Sequence, residues 1–554
     1  MYRSISVPDP ETSDFVIKHT TKLICVFDCE TDPFSTIQQS IAPFTCGFYD
    51  GHIYVDFWGD DCIDQFAQYI YNRAEHNPDE NLLIYAHNLG GFDIHFLYKY
   101  FDNECRPGVI NGRIYKAYIC GHEWRDSYKI LPVALSAFGE KYVFDYELMK
   151  KGVREKHKNK ILEYQMQDCI ALHKPIILFH DMFGDQITIG SCSIKVFQSF
   201  HGFERMRDKQ DERARGYFKG GAVRCFQTGV IKGDWKVYDV NSMYPHVMAN
   251  FSHPISAGIH AGRRITENTA FVTVEGWNKG GLPQRGAMGE LNFPDGLGMF
   301  KVSIHELNAA VECGYFKIKR VIETLDFSTW ADFKGYINHY YDLRMEAKKN
   351  GDAFMTMFYK FLLNNAYGKF AQDPRKYGDY IILEGDYPPE EGEYNAETNP
   401  NGWSPKFVNT DTFGTIWERK SKGPKRFFNV ATGASITGAA RAVLLRGIYN
   451  SVRPIYCDTD SIICEQLNAD LDDTRLGAWK LEATGTEICV AGKKMYALFD
   501  GDKEVKKASK GVGLTAAQIR EVAAGSEIVY RAERPTFSLG GGQVYTDRTI
   551  KVTA

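Results

Sequence analysis

Along this chain, short apolar runs repeatedly end in carboxylates. Lys22-Leu23-Ile24-Cys25-Val26-Phe27-Asp28-Cys29-Glu30-Thr31 reads as a buried strand whose last turn outward carries two acids at i and i+2, on one face. Leu82 to Asn88 reads as a second apolar strand. It runs into Leu89-Gly90-Gly91-Phe92-Asp93, after which the spacing from Ile94 to Tyr100 predicts an amphipathic helix. In Tyr164-Gln165-Met166-Gln167-Asp168, Tyr164 and Asp168 fall one turn apart on a helical face. Farther on, Tyr238-Asp239-Val240-Asn241-Ser242-Met243-Tyr244-Pro245 is an apolar strand ending at Asp239, followed by a turn marked by Pro245. A helix is predicted from Ser303 to Gly314 and a strand from Phe316 to Leu325. Two helical patterns between Trp330 and Tyr367 flank Lys348-Lys349-Asn350-Gly351-Asp352, and the second carries Lys360, Asn364 and Tyr367 on one face. Ala431 to Tyr449 reads as a helix and Ile455 to Ile463 as a β-hairpin. Leu539 to Tyr545 and Thr549 to Val552 read as the strands of a terminal hairpin.

With 554 residues the chain is too long for one core, so several domains are expected. Its formal net charge of −4 means that any nucleic-acid surface must be built from local positive charge, for which Arg154 to Lys160, Arg419 to Arg426 and Lys503 to Lys510 are the candidate runs. The 13 cysteines are scattered, with no paired spacing, which points to reduced thiols in a cytoplasm and not to a disulfide framework or a zinc site. The polar N-terminus and the lack of a long apolar run exclude a membrane role. Asp386 to Gly402, rich in Pro, Glu, Asn and Gly, reads as a loop.

The carboxylates carry the chemistry. At the tip of a hairpin, Asp458 and Asp460 converge on one small volume, and two anions so close call for a divalent cation. Mg²⁺ suits them, since it accepts few protein carboxylates and leaves room for water and substrate phosphates. Asp28, Glu30, Asp93 and Asp168 with the phenol of Tyr164 form a second set that can meet at one point, as hydrolysis of a phosphodiester by two metals requires. Any one of these pairs alone reads as a strand-end or turn aspartate.

Taken in order, Asp239 to Pro245, Lys360 to Gly368 and Tyr456 to Ser461 resemble motifs A, B and C of the family B DNA polymerases, and the protein-primed branch of phages and linear plasmids in particular. Asp28 with Glu30, Asn88 to Asp93, and Tyr164 with Asp168 resemble the three motifs of a DnaQ-type 3′–5′ exonuclease. The resemblance implies a multidomain α+β and α/β fold: an RNase H-like exonuclease at 1–189, palm at 190–260 and 429–513, fingers at 335–372 and thumb at 514–554. A first insertion at 261–334 would face the priming protein, and a second at 373–428 would serve strand displacement and processivity.

It also implies roles. Asp239, the Val240 carbonyl, Asp458 and Asp460 would bind two Mg²⁺ ions, with Mn²⁺ able to substitute, and Asp28, Glu30, Asp93 and Asp168 would bind a second pair. Tyr164 would orient the attacking water. Lys141, in a Lys-x-x-x-Asp-Tyr pattern, would neutralise charge at the scissile phosphate. Tyr244 would exclude a ribose 2′-hydroxyl, and Lys348, Lys360, Asn364 and Tyr367 would hold the dNTP. Asn88, Phe92 and Ser127 would bind a single-stranded 3′ end, although Tyr128 replaces a leucine of the branch. Gly220, Gly221, Ser242, Thr459, Lys494 and Tyr496 would contact primer-template DNA. Gly216-Tyr217-Phe218-Lys219-Gly220-Gly221 departs from the branch's Tyr-x-Gly-Gly, with Phe218 at the tyrosine position.

The implied partners are DNA primer-template, dNTPs and a terminal protein, and the implied state is a monomer or a heterodimer with that protein. The rivals are a family B polymerase extending ordinary nucleic-acid primers, a nuclease with a dead polymerase site, and a non-catalytic scaffold. The intact Asp239, Lys360, Asp458 and Asp460 argue against the last two.

Overall fold

The computed structural model describes residues 3–6, 22–34, 41–138, 143–287, 289–373, 377–385, 402–409, 414–420, 428–532, 536–537, 539, 543–544 and 548–552. Lys141 and most of the Asp386 to Gly402 stretch lie outside the described residues. The chain divides into two compact units, one of residues 1–192, 373–425 and 533–546, the other of 193–372, 426–532 and 547–554.

In the first unit the apolar run predicted at Lys22 forms the strand Leu23–Thr31, inside an eight-stranded sheet. The order is Arg3–Ser6, Ile53–Trp58, Pro43–Tyr49, Leu23–Thr31, Leu82–Ala86, His122–Asp126, Arg113–Ile119, Gly108–Ile110. Leu23–Thr31 pairs parallel with Leu82–Ala86, which pairs parallel with His122–Asp126. Parallel strands at the centre are covered on both faces, which explains why Ile24 to Phe27 are apolar without alternation. The helix Cys62–His76 lies against Pro43–Tyr49 and Ile53–Trp58, and the helix Lys158–Phe183 against Leu23–Thr31 and Pro43–Tyr49. A three-stranded sheet, Gly378–Leu383, Gly414–Lys420 and Ser404–Asn409, belongs to this unit, and its Ile382 and Ile416 enter the same core. The helix expected from Ile94 to Tyr100 is instead two short 3₁₀ turns, Asp93–Phe96 and Tyr98–Tyr100. Ile94, Leu97 and Tyr98 are all buried there and Lys99 alone is exposed, so the segment is a tight wrap of core residues without the broad polar face of an amphipathic helix.

The second unit is organised by a seven-stranded antiparallel sheet in the order Lys503–Ser509, Met495–Asp500, Trp479–Gly492, Gly229–Val240, Ser461–Cys464, Tyr456–Asp458, Val223–Cys225. The helix Val430–Tyr449 is built largely of small residues and is buried along nearly its whole length beside this sheet. The helices Lys334–Lys349 and Ala353–Phe370 pack on each other as the expected helical hairpin. Ser303 caps the helix Ile304–Glu312 reciprocally with Glu306, and that helix packs on the four-stranded sheet His260–Gly262, Phe316–Asp326, Thr269–Lys279, Asp295–Ser303. The terminal hairpin is paired differently from the expectation. Arg548–Val552 pairs with Ile528–Ala532, and Gln543–Val544 with Thr536–Phe537. Alternation marked the strands, but partner choice is a tertiary matter. All 13 cysteines are free thiols, and no helix among the described residues is long and apolar enough to cross a membrane.

Candidate active sites

Asp239 is the penultimate residue of the central strand Gly229–Val240, where the ladder places it opposite Ser461 on one side and Lys480 on the other. The neighbouring hairpin turns at Thr459-Asp460, and the Val240 amide donates to the Asp460 carbonyl at 2.8 Å, which fixes the two acidic strand ends side by side. Thr459 sits in the left-handed region at φ 53°, donates its amide to the Ala222 carbonyl at 2.7 Å and its hydroxyl to Asp458 Oδ1 at 3.0 Å. Burial, followed by the charges of Asp460 and Glu482, pushes the Asp239 carboxyl up to about 7. Burial, followed by Asp458, pushes Asp460 up to about 6. Carboxylates that resist ionising for this reason are relieved by a cation, which fits the metal expectation.

Three lysines attend these acids. Lys494 Nζ donates to Oδ1 and Oδ2 of Asp458 at 2.8 and 2.6 Å. Lys480 Nζ is 3.8 Å from Asp239 and 2.8 Å from Glu482, and Lys506 pairs with Glu482. The strand Trp479–Gly492 bulges at Glu482, shifting register against Val237 and Tyr238. Lys480, Glu482 and Lys506 were not predicted. Two charges at i and i+2 in Trp479-Lys480-Leu481-Glu482 were the available signal, but only the register to Asp239 gives them meaning.

Tyr244, on the helix Met243–Asn250, stacks on Tyr367 from Ala353–Phe370, with ring centroids 3.8 Å apart and planes 15° from parallel. The expected motif face is thus joined to motif A through these two rings. Lys360 lies exposed two turns before Tyr367, and Asn364 one turn before it, half-buried. Lys348 is exposed at the end of Lys334–Lys349. One turn earlier on that helix stands Arg344, another residue not predicted, which donates to the Ser242 hydroxyl at 3.0 Å. Tyr496 is buried against Tyr456, whose hydroxyl accepts from the Lys494 amide at 3.0 Å. Gly220 is exposed and Gly221 packs against Thr459, while the carbonyls of Lys219 and Gly220 both accept from Arg441 at 2.6 Å. Tyr217 is buried with its hydroxyl 2.8 Å from that of Thr273, leaving Phe218 half-buried at the motif position.

The second acidic set stands in the first unit. Ligand oxygens of Asp28, Glu30 and Asp168 lie within 4.8 Å of one another. Asp28 Oδ2 is buried without a hydrogen-bond partner, as an oxygen awaiting a cation would be. Burial and then the charges of Glu30, Asp93 and Asp168 hold the Asp28 carboxyl well above the usual range, and Glu30 behaves likewise. Burial pushes Asp93 up to about 7 and Asp168 up to about 6. Asp93 Oδ1 accepts from the Cys29 thiol at 3.1 Å. The Tyr164 ring stacks on Phe144 with centroids 4.4 Å apart, and its hydroxyl is 3.3 Å from that of Tyr146. Asn88 has φ 63°, and its side chain lies over Gly91. Phe92 is half-buried and touches Phe96 and Phe537 edge-on. Ser127 is fully buried, donating to the Ala86 carbonyl at 3.2 Å and lying 2.9 Å from His87 Nδ1, with the exposed Tyr128 beside it.

Residues 147–416 match the family model for DNA polymerase type B, organellar and viral. The chain is 42% identical over 560 residues to the DNA-directed DNA polymerase of Enterobacteria phage PRD1, covering 96% of this chain and 98% of that one. The chain belongs to the organellar and viral type B DNA polymerases. It is a DNA-directed DNA polymerase of the protein-primed phage type. It is also 23% identical to the DNA polymerase of Bacillus phage M2, over 78% of this polymerase and 80% of the relative. Its fold is similar to that of the Phi29 DNA polymerase in complex with primer-template DNA and incoming nucleotide, at a TM-score of 0.71 and 18% identity over 96% of this chain and all of the other. The palm, fingers, thumb and exonuclease architecture expected from the motifs is that fold. Polymerases of this type are metal-dependent and bind primer-template DNA and nucleotides.

Proposed function

We propose that this polymerase copies a linear phage or plasmid genome in the host cytoplasm, starting from a hydroxyl of a terminal protein, displacing the non-template strand and proofreading with a separate 3′–5′ exonuclease site. The observation that carries this reading is the presence of two independent carboxylate sets, Asp239, Asp458 and Asp460 in one unit and Asp28, Glu30, Asp93 and Asp168 in the other, all raised or paired as cation ligands are.

In polymerisation, Asp239 and Asp460 with the Val240 carbonyl would hold two Mg²⁺ ions, and Asp458 would assist. Ions held by these residues would supply Lewis acidity to the attacking 3′-hydroxyl and to the departing pyrophosphate. Lys360, Lys348 and Arg344 hold the triphosphate, and the stacked pair of Tyr244 and Tyr367 forms the floor under the sugar and base. Lys494 and Tyr496 hold the primer end, while Ser242, Thr459, Gly220 and Gly221 border the DNA. In hydrolysis, Asp28, Glu30, Asp93 and Asp168 would hold the ions, Tyr164 would orient the attacking water, and Lys141 would offset phosphate charge. Asn88 and Phe92 bind the unpaired end, the ring by stacking on a base.

Two segments supply the branch's special properties in this reading. The sheet within 261–334 faces the terminal protein, and Trp277, Leu297 and Met299, cross-strand neighbours on its exposed face, provide the apolar contact. The segment 373–428 serves strand displacement.

The test is extension of a primed single-stranded circle with Mg²⁺ and dNTPs, without helicase or clamp. Products many times the circle length are expected, and arrest on reaching duplex would refute strand displacement. Asp460→Ala should abolish both extension and nucleotidylation of the terminal protein; loss of only one would refute a shared site. Asp168→Ala should abolish 3′–5′ hydrolysis and leave extension intact.

A further inference from the structure

Three of the four exonuclease carboxylates come from two elements distant in the sequence: Asp28 and Glu30 from the strand Leu23–Thr31, and Asp168, with Tyr164, from the helix Lys158–Phe183. Their spacing therefore depends on how the helix is seated on the sheet. Between Tyr164 and Asp168 on that helix lies Gln165, a carboxamide with no exposure at all. Its Nε2 donates to the backbone carbonyl of Asp28 at 3.3 Å and to that of Thr45 at 3.5 Å. Its Oε1 accepts from the Tyr54 hydroxyl at 3.4 Å and from the Thr45 hydroxyl at 3.1 Å, whose one proton is shared with the Phe57 carbonyl at 2.8 Å. Thr45 stands directly across the ladder from Glu30, and Gly47 directly across from Asp28. A Cβ on Gly47 would overlap the Tyr54 hydroxyl and lie 2.8 Å from its ring, so the glycine makes the space through which Tyr54 reaches the amide.

A fully buried amide is retained only where its hydrogen bonds are met, and its loss leaves several buried groups unpaired. This one binds three strands of the sheet to the helix that carries Asp168, at the level of the two strand acids. We propose that Gln165 is a positioning residue of the exonuclease site: its four hydrogen bonds set the register between Asp168 and the pair Asp28 and Glu30, and so the separation at which metal ions are held. The proposal rests on the exonuclease reading above. Cation sites respond steeply to ligand spacing, because the ligand oxygens must sit within a few tenths of an ångström of the preferred distance.

Gln165→Met keeps the volume and removes all four bonds. With a single-stranded oligonucleotide it is expected to lower the hydrolysis kcat at least tenfold, leave KM within twofold, raise the Mg²⁺ concentration for half-maximal hydrolysis several-fold, and weaken Mg²⁺ binding to the DNA-free enzyme by a similar factor in calorimetry. Primer extension should stay within twofold. Thr45→Val removes one partner of the amide while leaving Gln165 against Asp28, and should shift the same two quantities in the same direction by a smaller factor. Unchanged kcat and Mg²⁺ midpoint in Gln165→Met would overturn the proposal. Should Gln165→Met lose both activities together, Thr45→Val decides: an unaltered Mg²⁺ midpoint there overturns it as well. If Asp168→Ala still hydrolyses DNA, the exonuclease reading itself fails, and that result is distinct from the others.

Discussion

Gly221 and Thr459 are in contact so closely that a Cβ on Gly221 would overlap the Thr459 hydroxyl and lie 2.9 Å from its methyl carbon. Thr459 is the residue between the hairpin acids, already strained at φ 53°, so the glycine loop seats the turn that aims Asp458 and Asp460. Gly221→Ala is expected to cost about 1–3 kcal/mol locally and to reduce primer extension tenfold or more, with 3′–5′ hydrolysis unchanged. Adding Thr459→Gly removes both the overlap and the left-handed strain and should restore part of the loss. Steady-state extension by the single and double variants measures this, and no recovery in the double variant would sink the contact argument.

Tyr244 stacks face to face on Tyr367, which holds its ring flat beneath the place assigned to the nucleotide sugar. Tyr244→Ala should raise the ratio of ribonucleotide to deoxynucleotide insertion by about a hundredfold, equivalent to about 2.7 kcal/mol of lost discrimination. Tyr244→Phe, which keeps the ring, should insert ribonucleotides as rarely as the unaltered enzyme. Single-nucleotide insertion kinetics on a fixed template distinguish the two.

Lys494 grips both oxygens of Asp458. Such a pair ties Lys494 to the turn that carries the polymerase acids, where the proposed function puts the primer end. Lys494→Ala should raise the KM for primer-template about tenfold through the lost phosphate contact. Salt should weaken DNA binding by this variant less steeply than by the unaltered enzyme, because one fewer counterion is released. Binding titrations across salt concentrations test the slope.

Asp93 has a pKa of about 7 in the folded chain, against the ordinary value near 4 in an unfolded one. The folded state therefore holds its proton more tightly, and this contribution to stability is complete below about pH 4 and lost as pH rises through about 7. In EDTA, Asp93→Asn should be more stable than the unaltered protein at pH 8, by about 1–4 kcal/mol, with the gap closing to near zero at pH 4. Mg²⁺ should narrow the gap at pH 8 by stabilising the ionised carboxylate. A gap of equal size at both pH values would contradict the raised pKa.

The acids were legible in the sequence because each ends a local pattern. Asp28, Glu30 and Asp239 close apolar strands, Asp458 and Asp460 flank a hairpin turn, and Tyr164 and Asp168 keep helical spacing. Such patterns depend on the two periods of the backbone and need no knowledge of the fold. The fold class followed from the same motifs in order.

What the tertiary structure decided is which side chains from other segments reach those acids. Lys480 meets Asp239 through strand register and Glu482 through a bulge, while Arg344 reaches the Ser242 hydroxyl through the packing of a helix and Gln165 reaches the Asp28 backbone carbonyl through the seat of a helix on three strands. The same holds for Ser127, taken inward by His87, and for the last strand, which pairs with Ile528–Ala532. Register and crossing partners are set by the summed burial of many distant residues, so no local spacing encodes them.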